Sequence, residues 1–261
     1  MAIPWAVMAA GDNSETEIDR MLAENPDNVR RADLLHARAW AMLSNPLRKS
    51  DLSAPLAAID EFIQAAPKDQ RGVSLLFQAV MKDKDSACKT QTLKRIVENY
   101  GDTESGKMAK GQLRLADAIG TPFELSFTDA ISGKLVSMAN LKGKVVVIDF
   151  WATWCGPCVA EMPELKKFYA DYKDKGVEFI GISLDQPGDG LDKLKALVAK
   201  NGITWPQYYQ GNGWSSDFSS NWGISHIPCA FVIDTAGKLY STEAHGQLGW
   251  MIPAMLIRRG K

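Results

Sequence analysis

Cys155 and Cys158 flank Gly156-Pro157 and follow closely on a run of mostly apolar residues, Val145–Trp151. No other stretch of the chain constrains its fold as tightly. The run reads as a buried strand, and a helical pattern follows from about Val159 to Lys175. The cysteine pair therefore caps a strand and opens a helix. At a helix N-terminus the first backbone N–H groups lack intrahelical partners, and the helix dipole adds partial positive charge. A thiolate placed there is stabilised, so its pKa falls and it becomes a usable nucleophile near neutral pH. Gly156 and Pro157 suit that entry, because a proline in the first turn gives up only an N–H that has no partner there.

In this arrangement Cys155 is the outer thiol and Cys158 lies one turn inside the helix. Cys155 can attack a disulfide to form a mixed disulfide, and Cys158 can resolve it by closing a short ring. The same spacing also occurs in half of a structural zinc site, which needs a second close Cys or His pair. Only Cys88 and Cys229 remain, far apart in the chain, and His36, His226 and His245 are scattered. The expectation is a redox couple, with no metal and no organic cofactor.

The motif and its surroundings resemble the thioredoxin superfamily. Residues 149–158 carry its Asp-Phe-Trp-Ala-Thr-Trp-Cys-Gly-Pro-Cys pattern. The stretch from about Thr121 to the C-terminus is similar to the TlpA/ResA-like branch, the extracytoplasmic thiol–disulfide oxidoreductases. The carrying segments are Phe127–Asp129, Ile131–Lys134, Leu141–Lys144, Glu161–Pro163, Gly181–Asp185 and Gly223–Pro228 running into Phe231–Asp234. The resemblance covers a little over half the chain and leaves the N-terminal part unexplained.

Bulk properties set wide bounds. The chain has 261 residues, enough for two domains, with 46% hydrophobic and 23% charged residues. A net charge of −1 gives no argument for nucleic acid or an acidic membrane surface. No apolar run approaches the length of a transmembrane helix. Residues 1–13 are expected to be a flexible leader; their mildly apolar start lacks the basic segment of a complete signal peptide. A periplasmic or otherwise extracytoplasmic location is implied by the resemblance alone.

Residues 14–118 read as helices only. Leu35, Ala39, Met42 and Leu43 share a helical face, as do Leu56, Ile59 and Ile63, and again Leu93, Ile96, Val97 and Tyr100. Breaks fall at Asn25-Pro26-Asp27, Asn45-Pro46, Ala66-Pro67-Lys68 and Tyr100-Gly101-Asp102. Phe62–Pro67 and Ile96–Gly101 stand about one helical-hairpin repeat apart, and Met21–Pro26 reads as a further copy. Tetratricopeptide-like hairpins and an irregular helical bundle are equally good readings. Docking a partner, dimerisation and packing on the catalytic domain all stay open as roles for this part. Cys88 reads as a free thiol without a role.

Residues 119–261 change pattern. Phe123–Phe127 and Lys134–Met138 suggest a hairpin, Val145–Trp151 and Val177–Ser183 nearly continuous apolar strands, and Leu191–Lys200 a helix. Ala230–Asp234 and Leu239–Glu243 read as a closing antiparallel hairpin, followed by a helical stretch from Leu248 to Arg259 that contains Pro253. The expected fold class is α/β: a thioredoxin-like fold with a central mixed sheet flanked by helices, after an all-α domain.

Several residues are expected to support the cysteines. Asp149 lies in the buried strand, where a carboxylate is costly without a partner or a task. It matches the buried acid of thioredoxins, and burial would raise its pKa and let it exchange a proton with Cys158. The alternative is a solvated side chain at a sheet edge. Glu161 matches the acid of the branch's Cys-x-x-Cys-x-x-Glu-x-Pro pattern; the plain alternative is a first-turn carboxylate favoured by the dipole. By the resemblance, Pro228 is cis and faces the cysteines, leaving the backbone of Ile227 to pair with an extended substrate. Cys229 stands where the family usually has Thr and reads as a small buried residue, with a third redox thiol as the sharper alternative. Trp151 and Trp154 read as an apolar collar against which a partner docks, with pure core as the alternative for Trp151, and Trp205–Tyr209 with Gly211–Trp214 read as packing first and a rim of the binding face second. His226 reads as a surface residue, and His36 and His245 carry no evident chemistry.

The resemblance thus implies a thiol–disulfide oxidoreductase acting on protein disulfides or dithiols, with a membrane or soluble redox donor and no nucleic acid. Cys155 and Cys158 form the redox-active pair, Asp149 and Glu161 handle protons, and Trp154, Gly156, Pro157, Ile227 and Pro228 meet the substrate. The Gly-Pro dipeptide leans towards a reductase; apocytochrome in cytochrome c biogenesis, an isomerase and a general thiol pool are all open as substrates. The rivals are a disulfide oxidase or isomerase, a thiol peroxidase of the same fold, and a scaffold that binds partners through its helical domain.

Overall fold

The computed structural model describes residues 14–24, 30–45 and 51–258. The expected leader at 1–13, the breaks at 25–27 and at 46, and Arg259 lie outside the described residues. The chain divides into two compact units, Met1–Leu113 and Arg114–Lys261.

Among the described residues of the first unit, five helices precede one that runs into the second. They are α1 (Ser14–Glu24), α2 (Arg31–Ser44), α3 (Ser53–Ala65), α4 (Gln70–Lys82), α5 (Ser86–Tyr100) and α6 (Glu104–Ala118). Helices α1 to α5 pack against their neighbours in sequence, and α2 also meets α4. Leu35, Ala39, Met42 and Leu43 are buried together with Ile59, Phe62, Ile63, Leu93, Ile96 and Tyr100. Leu56 and Val97 are half-buried and pack against that core. Two of the expected breaks separate helices here, Ala66-Pro67-Lys68 and Tyr100-Gly101-Asp102. Asp69 caps α4 by accepting from the Arg71 N–H, and Asp85 caps α5 by accepting from the Cys88 N–H. The Tyr100 ring lies against Gly72, where a Cβ would collide with it, and its hydroxyl donates to the Asp69 carbonyl at 3.1 Å.

The division between units falls inside α6, ahead of the boundary expected at residues 118–122. The reason is packing. Leu115 and Ala118, in the last turns of α6, belong to the core of the second unit.

That core surrounds a five-stranded sheet of order β5-β4-β3-β6-β7. Its strands are β3 (Val145–Trp151), β4 (Val177–Ser183), β5 (Gln207–Tyr209), β6 (Cys229–Ile233) and β7 (Leu239–Ser241). A separate antiparallel ladder joins β1 (Ser126–Thr128) to β2 (Leu135–Ser137), shorter than the hairpin expected there. β3 runs parallel to β4, and β4 to β5, whereas β6 is antiparallel to both β3 and β7. All seven residues of β3 are buried, as expected of a central strand covered on both faces. The fold is thioredoxin-like, a mixed sheet flanked by helices.

Strand periodicity puts Val147 and Asp149 on one face of β3 and Ile148 and Phe150 on the other. Phe150, Phe231, Phe218, Trp222 and Phe123 form a continuous set of ring contacts. On the Asp149 side lie α7 (Gly156–Tyr172), which packs on β4, and α10 (Leu248–Arg258), which packs on β3. Helix α8 (Gly190–Asn201) links β4 to β5, and the short α9 (Asp217–Asn221) precedes β6. α7 begins at Gly156, three residues before the expected start, because Cys155 itself serves as its cap. Both α7 and α10 continue through an internal proline, Pro163 and Pro253 respectively.

Candidate active site

Cys155 and Cys158 are joined by a disulfide, with Cα atoms 5.3 Å apart. Both are buried, at 5% and 2% exposure, so the outer thiol is only slightly the more open of the two. The Cys158 backbone N–H donates to Cys155 Sγ at 3.3 Å. One orphan donor of the helix N-terminus is thereby directed at this sulfur, where negative charge would develop on reduction. Gly156 and Pro157 are exposed beside it, and Trp154 is 52% exposed. The Trp154 ring lies 6.3 Å from that of the half-buried Trp214. Trp151, by contrast, is fully buried and belongs to the core.

The loop between β3 and α7 is tied down by a residue the sequence reading did not single out. Buried Asp185 accepts from the Thr153 backbone N–H at 3.1 Å and from its hydroxyl at 2.6 Å. Ser183 donates to the other carboxylate oxygen of Asp185 at 2.7 Å. Leu184 N–H donates to the Trp151 carbonyl at 2.8 Å, which extends the β3–β4 pairing to the end of the motif. Asp185 closes the segment Gly181–Asp185 that carries part of the resemblance, but a polar residue at the end of an apolar strand does not by itself announce burial.

Cys229 pairs in register with Phe150, so the preceding Pro228 stands at the end of β3 where the cysteine loop leaves. The Ile227–Pro228 peptide bond is cis, and both residues are half-buried. Cys229 is a free, buried thiol, pushed up to about 12 by burial first and by the charges of Asp149 and Glu243 after it. His226 is exposed.

Asp149 is 5% exposed, in the middle of the sheet and away from any edge. Its Oδ2 has no hydrogen-bond partner. Burial, and then the charge of Glu161, push its pKa up to about 7, against a smaller opposing effect of His245. Asp149 lines a cavity of about 160 Å³ together with Glu161, Glu164, Phe168, His245 and Leu248. Glu161 is half-exposed there, and its carboxylate lies 2.9 Å from His245 Nε2. The structure therefore brings Asp149 and Glu161 to one cavity and adds His245, to which the sequence reading assigned no chemistry. Among the described residues, no group of three or more His, Cys, Asp or Glu side chains is placed to hold a metal ion.

A disulfide-linked cysteine pair at a helix start, a cis-proline beside it and a buried acid in the central strand define a thioredoxin-like site. A model of the Redoxin family matches residues 118–249, half of the chain, and the chain belongs to that family. Among curated relatives, the thiol-disulfide oxidoreductase ResA of Oceanobacillus iheyensis is 34% identical over 127 residues, covering 48% of this chain and 62% of the relative. ResA of Bacillus anthracis is 34% identical over 109 residues, covering 42% of this chain and 60% of the relative. The chain thus spans about three fifths of the length of these relatives. Among solved structures, the thioredoxin domain of a thiol-disulfide oxidoreductase from Bacteroides vulgatus matches with 28% identity and a TM-score of 0.42, covering 48% of this chain and 88% of that one. A thioredoxin family thiol:disulfide interchange protein from Chlorobium tepidum matches with 26% identity and a TM-score of 0.43, covering 52% of this chain and 94% of that one.

Proposed function

We propose that the chain is a thiol–disulfide oxidoreductase that reduces disulfides in proteins. The observation that carries this reading is the cysteine pair at the head of α7, with a helix N–H on Cys155 Sγ and a buried acid in the strand that feeds it. In the reduced protein Cys155 attacks a substrate disulfide and one substrate sulfur leaves. Cys158 then gives up its proton and attacks Cys155 Sγ, and the second substrate sulfur leaves as the enzyme disulfide closes. Two enzyme thiols are oxidised and one substrate disulfide becomes two thiols. Asp149 takes the proton from Cys158, and Glu161 serves the same proton traffic. Trp154, Gly156, Pro157, Ile227 and Pro228 form the face that meets the extended substrate.

The division into a helical domain and a redox domain supports a docking role for the helices, towards a protein partner or a second copy. Similarity to ResA supports an extracytoplasmic location, and apocytochrome, an isomerase and a general thiol pool all stay open as substrates. Among the described residues, no helix is long and apolar enough to cross a membrane.

The test is turnover of a protein disulfide, with insulin as the probe, together with the reduction potential of the Cys155–Cys158 pair. Cys155→Ser is expected to abolish turnover, and retained parental turnover in that variant would overturn the mechanism. A strongly reducing potential supports the reductase direction. An oxidising one turns the reading to disulfide formation or isomerisation.

A further inference from the structure

The cavity beside β3 joins two settings. Asp149 is buried within it and has an unpartnered carboxylate oxygen. Glu161 and His245 line the same cavity, are both partly exposed to water, and hold each other at 2.9 Å. Glu161 comes from the second turn of α7, one turn after Cys158, and His245 from the segment between β7 and α10. The contact is therefore made by elements that only the fold brings together.

We propose that His245 is a positioning residue of the redox site: it fixes the Glu161 carboxylate at the water-facing side of the Asp149 cavity and balances its charge, so that Asp149 can discharge its proton to solvent through the pair. The inference rests on the thiol–disulfide reading above. In the resolving step, the Cys158 S–H bond breaks and its proton passes to Asp149. The Cys158 sulfur attacks Cys155 Sγ, and the electron pair of the broken mixed disulfide leaves on the substrate sulfur. That sulfur takes its proton from water, and Asp149 must lose one before the next turnover. A buried carboxyl without a polar neighbour exchanges such a proton poorly, whereas the Glu161–His245 contact along the same cavity supplies acceptor and donor atoms.

The charges around Asp149 set the expected sign. Glu161 and Glu164 face the cavity from α7, and His245 faces it from the β7–α10 segment. Cys229 on β6, thiol-protonated at neutral pH, feels the charge of Asp149 and that of Glu243. Glu161 disfavours the ionised Asp149 and His245 favours it. Loss of the imidazole leaves the effect of Glu161 unopposed.

Rapid mixing of the reduced protein, in a Cys88→Ser background so that the exposed Cys88 thiol adds no release of its own, with excess Ellman's reagent separates the steps. Attack by Cys155 releases one thionitrobenzoate, and resolution by Cys158 releases a second. In His245→Gln the midpoint of the second phase is expected to move to higher pH by about half a unit to one unit. At pH 6 that phase then slows by roughly threefold to tenfold, while at pH 9 it equals the parent. His245→Lys, which restores a cation, is expected to return the midpoint. A second phase that overlays the parent at every pH overturns the inference, and so does an equal slowing at every pH, which is what a merely structural contact would give. Should His245→Gln fail to fold, the Asp149 carboxyl carbon is titrated by NMR in the oxidised parent. Its midpoint is expected to be the same in His245→Lys, and a midpoint raised in that variant overturns the inference. If the parent itself releases no second thionitrobenzoate, the thiol–disulfide reading fails instead.

Discussion

The indole Nε1–H of Trp151 donates to Gln207 Oε1 at 3.0 Å, and both residues are fully buried. Gln207 Nε2 donates in turn to the Trp205 carbonyl, and the Gln207 backbone N–H donates to Asp129 Oδ1 at 2.8 Å. Asp129 also receives the backbone N–H groups of Ile131 and Ser132. A chain of satisfied polar groups thus runs from the β1–β2 turn to the last residue of β3, four residues before Cys155. Gly181, opposite Asp149 on β4, makes it possible, because a Cβ there would collide with the Gln207 amide.

Gln207→Leu would leave the Trp151 N–H buried without an acceptor, at a cost of about 1–3 kcal/mol. Gly181→Ala would overpack the same spot, at a cost of about 1–3 kcal/mol. Urea unfolding should give a double variant, Gly181→Ala with Gln207→Ala, less destabilised than the single variants Gly181→Ala and Gln207→Ala added together, since removing the amide also removes the collision. Strict additivity would mean that the two residues do not share the site.

Asp185 bears on the position of the cysteine loop. Replacing Thr153 by Val removes the hydroxyl that donates to Asp185 at 2.6 Å but keeps the backbone N–H contact. The carboxylate loses one of its donors in a buried setting, for a destabilisation of about 1–3 kcal/mol. Asp185→Ala, which releases Thr153 and Ser183 together, is expected to cost more and to slow the first thionitrobenzoate release, because Cys155 is then less firmly placed. A first phase unchanged in Asp185→Ala would show that the loop holds its shape without this anchor.

What was legible in the sequence was legible for a physical reason. β3 and β4 are long buried runs, and β3 leads straight to an unmistakable cysteine pair, so strand, helix and redox centre could all be located from neighbouring residues. β5 escaped because Gln207–Tyr209 is short and mixes polar with aromatic residues; its extended form comes from pairing with β4. The pairing of His245 with Glu161 spans 84 positions, and no local pattern announces it. Asp149 was readable as a buried acid because an ionisable residue inside an apolar run is anomalous by itself. Asp185 sits at the end of such a run, where a polar residue is ordinary, so its burial was not.

The two cysteines outside the motif should behave differently in the folded, oxidised protein. Cys88 is exposed at the start of α5, where Asp85 raises its pKa. Cys229 is buried and pushed up to about 12. Ellman's reagent should titrate one thiol readily and the second only after denaturant is added, as burial and lack of thiolate both withhold Cys229. Cys229→Ser should leave both phases of the reduced protein in place. Loss of the second phase in that variant would make Cys229 a participant in exchange.

Asp149 also sets how stability depends on pH. Its pKa lies at about 7 in the folded chain against an ordinary value of 3.8. Between those values the folded state binds the extra proton, so stability falls as pH rises through that window and levels off above it. The stabilising protonated form is fully present below the ordinary value and is lost through the folded one. Asp149→Asn cannot ionise and should escape the loss. Relative to the parent, the variant should gain about 2–4 kcal/mol on going from pH 4 to pH 8. Urea unfolding of the oxidised proteins at several pH values measures this difference directly. Parallel pH profiles for parent and variant would mean that Asp149 is already ionised at low pH, and that it does not hold the proton from Cys158 near neutrality.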